Sequence, residues 1–297
     1  MKRDEIRIRD PFIFTHESEK MYYLFGTTDT TCWDGDGVGF DCYKSRDLIN
    51  WEGPIPAFRS SEGFWATRNF WAPEVHSYKD RYYMFATFKA DNMYRGTQIL
   101  VSDYVSGPYK PLTDRPITPP DWECLDGTLH IDSDGHPWLV FCHEWTQVHN
   151  GAMYAMKLTE DLKKGAGRPV FLFNASEGPW VLPLKPHEQE YLSRLFPNYV
   201  TDGPYLHRMK KGTLAMLWSS YGTSGYAMGI ALSENGDVSG PWIQEEVPLW
   251  KEDGGHGMIF HTFDRRLMLT FHSPNNSPDE RAVFFEIFEE GDSLRLK

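Results

Sequence analysis

One hairpin recurs five times along the 297-residue chain. It reads DPFIFTHESEKMYYLFGTT from Asp10, APEVHSYKDRYYMFATF from Ala72 and DGTLHIDSDGHPWLVFC from Asp126. DGPYLHRMKKGTLAMLWSS from Asp202 and HGMIFHTFDRRLMLTFH from His256 complete the set. Each copy is a short apolar strand, a polar turn and an aromatic-rich strand. A third strand follows each pair, and three copies then place Gly-Pro before a fourth (Gly53-Pro54, Gly107-Pro108, Gly240-Pro241). Starts 54 to 76 residues apart match four strands per repeat. A four-stranded unit cannot bury both of its faces alone, so the repeats must pack against one another. The reading is all-β: a five-bladed β-propeller, one catalytic domain over 1–297. Aromatics at 15% suit sheet-on-sheet contacts better than a helical core. The longest interval carries an insertion around 174–198, in which HEQEYLSRLF is expected to form one short helix.

Composition excludes several functions. A net charge of −12 repels phosphate, so neither nucleic acid nor an anionic membrane is an expected partner. No apolar run is long enough to span a bilayer, and MKRDEIRIRDPFIF lacks the apolar core of a signal peptide. The chain is therefore expected in the cytoplasm, or secreted by a signal it does not itself carry. Cys32, Cys42, Cys124 and Cys142 have no zinc spacing and are expected to be reduced, partly buried thiols. Oligomeric state is not legible.

The innermost strand of a propeller blade lines the central channel. Aligning the repeats on their starts makes Asp10, Ala72, Asp126, Asp202 and His256 equivalent. Three carboxylates and a histidine would then share one channel mouth. Asp before a strand is also ordinary turn chemistry, but three carboxylates crowded together are costly unless they work. When their pKa values are pushed apart, one acts as a base on water and another as an acid on a leaving group. That pair cleaves glycosidic bonds, with inversion when the carboxyls stand about 6.5–9.5 Å apart.

These residues resemble glycoside hydrolase family 43, five-bladed propellers that cleave arabinose- and xylose-containing glycans with inversion. The resemblance rests on RDPFIF (9–14), GFDCYKSRDLINW (39–51), WAPEVH (71–76), LDGTLHIDSDG (125–135), TDGPYL (201–206) and GGHGMIF (254–260), in family order. It implies Asp10 as general base, Asp126 as the carboxylate that tunes the acid, and Asp202 as general acid. The family usually has Glu-Gly-Pro where this chain reads Asp-Gly-Pro, so the proton donor is one methylene short. Glu177, in Ser-Glu-Gly-Pro-Trp, is the alternative acid if its loop reaches the site; otherwise it is a solvated loop residue. His256 matches a channel histidine that, in many members, lies near a central ion. No cofactor is obligatory, and a Ca²⁺ in the channel is expected to touch His256 through water, since calcium prefers oxygen. DGDG at 34–37 resembles a calcium loop only loosely.

Sugars bind on aromatic faces and fixed polar partners. Trp71 matches the family's Trp beside the first sugar. Trp33 and Phe40, around the loop TTDTTCWDGDGVGF, are rim candidates with core packing as the bland reading. Glu144 and Trp145 are placed to reach the mouth, and Arg281 to reach the channel from the last blade or to remain a surface ion pair. Long loops after blades one and three point to a closed pocket, hence an exo-acting α-L-arabinofuranosidase or β-xylosidase of hemicellulose. The rivals are an endo-arabinanase or xylanase, and a propeller that binds an oligosaccharide or polysaccharide without cleaving it.

Overall fold

The computed structural model describes residues 1–185 and 197–297; the helix expected within 187–196 lies outside the described residues. Five antiparallel sheets of four strands each follow one another along the chain as the blades of a propeller. Blade one is Arg9–His16, Met21–Thr27, Gly39–Ser45 and Glu52–Arg59; blade two is Arg68–Tyr78, Arg81–Ala90, Met93–Ser102 and Lys110–Pro111. Blade three is Cys124–Ile131, Pro137–His143, Ala152–Lys157 and Val170–Asn174. Blade four is Asp202–Arg208, Leu214–Gly222, Gly225–Ser233 and Ile243–Gln244; blade five is Gly255–His261, Leu267–Ser273, Arg281–Glu290 and Ser293–Leu296. The polar turns seen in sequence are the first hairpin of each blade, and several bend through left-handed residues such as Lys20, Gly135 and Gly212.

Second strands are buried along almost their whole length, as LAMLWSS in blade four shows, because a neighbouring blade covers each face. The outermost strands are largely exposed, as EGPIPAFR in blade one shows. Apolar clusters fill the wedges between blades. Blades two and three share Phe85, Ile99, Leu139 and Phe141; blades four and five share Leu217, Ile230, Leu269 and Phe271. All four cysteines are free and buried.

Each blade is built from consecutive strands, so no strand is shared between the ends of the chain. A backbone bond from the Ile8 N–H to the Glu280 carbonyl (3.3 Å) and buried side chains close the ring instead. Glu280, fully buried in blade five, accepts Arg9 at 3.1 Å and Arg7 at 3.3 Å from the first segment. Burial would raise the Glu280 carboxyl, but hydrogen bonds from Ser277, its own backbone N–H and Arg9, with the Arg7 charge, hold it down at about 2.

Candidate active site

The five inner strands repeat one irregularity. In each, two residues oppose a single residue of the second strand: Asp10-Pro11, Ala72-Pro73, Asp126-Gly127, Gly203-Pro204 and His256-Gly257. The first residue of every pair has φ between +46° and +54°. Four of these are not glycine, and a left-handed Asp, Ala or His costs on the order of 1–2 kcal/mol. The five matched bulges re-aim four side chains, those of Asp10, Ala72, Asp126 and His256, and leave Gly203 as bare backbone.

This register corrects one alignment read from the sequence. The blade-four equivalent of Asp10 and Asp126 is Gly203, and Asp202 precedes the bulge. Asp202-Gly203 imitates Asp126-Gly127, but Pro204 occupies the second bulge position, as Pro11 and Pro73 do. Asp202 therefore belongs with Arg9, Trp71, Leu125 and Gly255, which pair in register with Thr27, Thr87, Cys142 and His272 as Asp202 does with Ser219.

These second-strand residues form a circuit around the axis. Each accepts the bulge N–H of the next blade. Thr27 takes Ala72 (2.8 Å), Thr87 takes Asp126 (2.8 Å), Ser219 takes His256 (2.8 Å) and His272 Nδ1 takes Asp10 (3.1 Å). Cys142 is the exception, thiol sulfur being a weak acceptor. There Asp126 Oδ2 accepts the Gly203 N–H at 3.1 Å. His272 can accept only as the neutral Nε2–H tautomer. Asn275 Oδ1 fixes that tautomer by accepting from His272 Nε2 (3.1 Å) and from Arg9 (2.7 Å). Burial, with Arg9 adding to it, holds His272 down at about 3.

Asp10, Asp126, Asp202 and His256 line one pocket of about 310 Å³. His256 Nδ1 stands 3.2 Å from Asp10 Oδ1 and 3.6 Å from Asp126 Oδ2. Gly203 permits this approach, since a Cβ there would meet the His256 ring at 2.6 Å. The electrostatics separate the carboxyls. Burial alone would raise Asp10, but the His256 charge and hydrogen bond, with the Arg9 charge, hold it far below the usual carboxylate range. Burial raises Asp126 to about 6 even with His256 beside it. Burial and then the Asp126 charge lift Asp202 well above the ordinary range. Burial would lower His256, but Asp10 and Asp126 raise it to about 10, so it is an imidazolium at neutral pH. The pocket thus pushes one carboxyl toward the ionised form and another toward the protonated form.

One wall is aromatic. Trp33 and Trp71 meet edge to face at 5.2 Å. Arg9 lies over Trp33 and Arg95 over Trp71, at 4.8 and 4.6 Å from the ring centres. Trp71 Nε1 is anchored on the Cys32 carbonyl at 2.7 Å.

A profile of Glycosyl hydrolases family 43 matches residues 5–289. The chain belongs to this family. It is a glycoside hydrolase of the inverting kind that the family comprises. Over 98% of its length it superposes on 97% of an endo-arabinase from Bacteroides thetaiotaomicron VPI-5482, with 42% identity and a TM-score of 0.89. A thermostable family-43 glycoside hydrolase, 23% identical over 98% of this chain and 92% of that one, shares the fold at a TM-score of 0.80. The extracellular endo-α-(1→5)-L-arabinanase 1 of Bacillus subtilis (strain 168) is 26% identical over 175 residues, 54% of this chain. The match spans about half of that curated relative, 52% of its length.

Within this family-43 chain, several residues lie elsewhere than the sequence placed them. Phe40 is not at the rim. It is fully buried between blades one and two against Phe58, Phe70 and Phe88, since the strand Gly39–Ser45 turns it inward. Glu177 does not line the pocket. Its carboxylate accepts the Asn174 N–H at 2.8 Å and caps a turn of 3₁₀ helix. Arg281 does not reach the channel; its guanidinium donates to the carbonyls of Asp4, Pro278 and Glu280. Blade five reaches the site through His256 and His272, and Glu280 beside Arg281 holds Arg9 of blade one. Glu144 and Trp145 do line the pocket, but the Glu144 carboxylate is held by Arg95, leaving it a wall residue.

Sequence reasoning overlooked Arg9, Thr27 and Tyr226, all in the pocket wall. Arg9 stood beside a recognised Asp, whereas Tyr226 carried no local signal. His256 turns its Nδ1–H to Asp10 and Asp126, so that nitrogen has no lone pair to give a directly bound cation. Among the described residues, ligand atoms of Asp132, Asp134 and His136 converge as a metal would need, but on a turn outside the pocket. No described helix is long and apolar enough to cross a membrane.

Proposed function

We propose that this hydrolase is an endo-acting α-1,5-L-arabinanase, with Asp10 as general base, Asp202 as general acid and Asp126 as the charge that keeps the acid protonated. The observation that carries the substrate is the likeness, along nearly the full length of both chains, to a protein named as an endo-arabinase. The residue roles rest on the opposite displacement of two buried carboxyls in one pocket.

In this reading the sugar ring lies against Trp33 and Trp71, and a water sits by Asp10. Asp10 removes a proton as the water oxygen bonds the anomeric carbon from one face. The glycosidic C–O bond breaks on the other face, its electron pair stays with the leaving oxygen, and Asp202 gives that oxygen a proton. Asp10 ends protonated and Asp202 ionised, and exchange with solvent restores both. Each proton transfer contributes about 10²- to 10⁴-fold. His256 holds the ionised base, and Asp126 is anchored to the acid's own loop through Gly203.

The endo reading takes the place of the exo-acting arabinofuranosidase or xylosidase expected from loop length. It carries a location outside the cytoplasm, where a polymer is met. Early products from linear 1,5-arabinan test it. Oligosaccharides with a rapid fall in viscosity are expected. Arabinose alone from the start would return the exo reading, and tight binding without products would make the propeller a binding module.

A further inference from the structure

The Asp-for-Glu change at 202 leaves a short acid, and a second side chain engages it. Tyr226 lies in the third strand of blade four, just past a two-residue turn that pairs Gly222 with Gly225. Its ring is 3% exposed, lines the pocket, and packs face to face with the neutral His272 at 5.7 Å and 21°. The hydroxyl donates to Asp202 Oδ2 at 3.0 Å. Gly255 makes room for this: a Cβ there would meet Tyr226 Cε1 at 2.6 Å. The first two residues of Gly-Gly-His-Gly thus include one that seats Tyr226.

We propose that Tyr226 is the positioning residue of the general acid: by donating to Asp202 Oδ2 it sends the acidic proton to Oδ1 and holds the short carboxyl toward the leaving oxygen. This rests on Asp202 being the acid. A protonated carboxyl has one O–H and one bare oxygen. Burial keeps the phenol protonated, and its O–H is the donor in this bond, with Asp202 Oδ2 the acceptor. The bare oxygen therefore faces Tyr226, and the proton-bearing one is turned from it. After the proton is delivered, the same bond becomes charge-assisted and stabilises the carboxylate product.

The groups facing Asp202 are Asp126, Asp10, His256 and Tyr226; those facing Tyr226 are Asp202, Asp10, Asp126, Arg9, the stacked His272 and Tyr221, edge-on at 5.5 Å. Of these, Tyr226 is the neutral donor on Asp202, so deleting its hydroxyl removes a bond that favours the ionised acid. The alkaline limb of kcat/KM must then move to higher pH. His256 titrates on the same side, so the limb is read as the difference between variant and parent.

The test compares Tyr226→Phe with the parent on linear arabino-oligosaccharides and on the same oligosaccharide carrying a dinitrophenyl leaving group. The expected result is a 10- to 100-fold fall in kcat on the unactivated bond, less than threefold on the dinitrophenyl substrate, and an alkaline limb raised by about half to one pH unit. Equal losses on both substrates with an unmoved limb would make Tyr226 a packing residue and overturn the proposal, as would full activity on both. Should the Phe variant fail to fold, Tyr226→Met removes the donor while keeping an apolar side chain in its place, and must give the same direction on both readouts. Asp202→Asn, run alongside, separates the premise. If it too shows no dependence on the leaving group, Asp202 is not the acid; if it does and Tyr226→Phe does not, only the positioning role fails.

Discussion

Replacing Thr27 by Val removes one hydroxyl and leaves almost the same volume, so it isolates two hydrogen bonds. Thr27 Oγ1 donates to Asp10 Oδ2 at 2.6 Å and accepts the Ala72 N–H at 2.8 Å. The accepted bond fixes the rotor, so the proton is aimed at the base. A bond to a charged group contributes ~1.5–3 kcal/mol, and a buried N–H left without a partner costs ~1–3 kcal/mol. Ala72 is buried, so both apply, and the variant is expected to lose about 3–5 kcal/mol of stability. Of this, the part felt by Asp10 appears in catalysis. His256 still holds Oδ1, so the carboxylate stays ionised but swings about that contact. A fall in kcat of roughly 10- to 100-fold follows, with KM little changed, since no sugar contact is removed. Thr27→Ser keeps the hydroxyl and is expected within about threefold of the parent. The assay is reducing-sugar release from debranched arabinan, with urea unfolding on the same samples. A Val variant with full kcat, or a Ser variant as impaired as Val, would refute the claim that the inter-blade circuit orients the base.

Phe40→Ala is expected to lose ~3–5 kcal/mol on unfolding while keeping kcat within twofold at 25 °C, because Phe40 is core and not rim. Glu177→Ala is expected to hydrolyse arabinan at the parental rate; a loss above about tenfold would restore that residue as a proton donor. For His256→Gln, the sign follows from a folded pKa of about 10 against 6.5. The charged imidazole adds stability fully below pH 6.5, and this is lost as pH rises through 10. The stability gap between parent and variant is therefore expected to shrink steadily between pH 6.5 and pH 10 in urea titrations; a gap that widens with pH contradicts the imidazolium.

The propeller was legible because blades repeat the same hairpin chemistry, and repetition survives errors in any one strand. Asp10, Asp126 and His256 were legible for a related reason: each is followed by Pro or Gly, the second residue of a bulge. The same cue misplaced Asp202 by one position, since Asp-Gly-Pro offers two such pairs and only the register with Ser219 chooses between them. Phe40 was misassigned because a strand boundary, not composition, decides which face an aromatic takes. Arg281 and Glu280 are adjacent, and period-two alternation sends one to the surface and the other to Arg9. Tyr226 and His272 were invisible because they act through contacts 24 and 262 residues distant in sequence, the first across the strands of blade four and the second between blades one and five.

The central claim is a division of labour between two buried carboxyls, and a leaving-group series on Asp10→Asn and Asp202→Asn measures it most directly. Without its base the enzyme must fail on every leaving group, whereas without its acid it must fail on arabinan, by 10²-fold or more, yet retain most of its rate on a dinitrophenyl arabino-oligosaccharide. Identical dependence on the leaving group in the two variants would contradict the account.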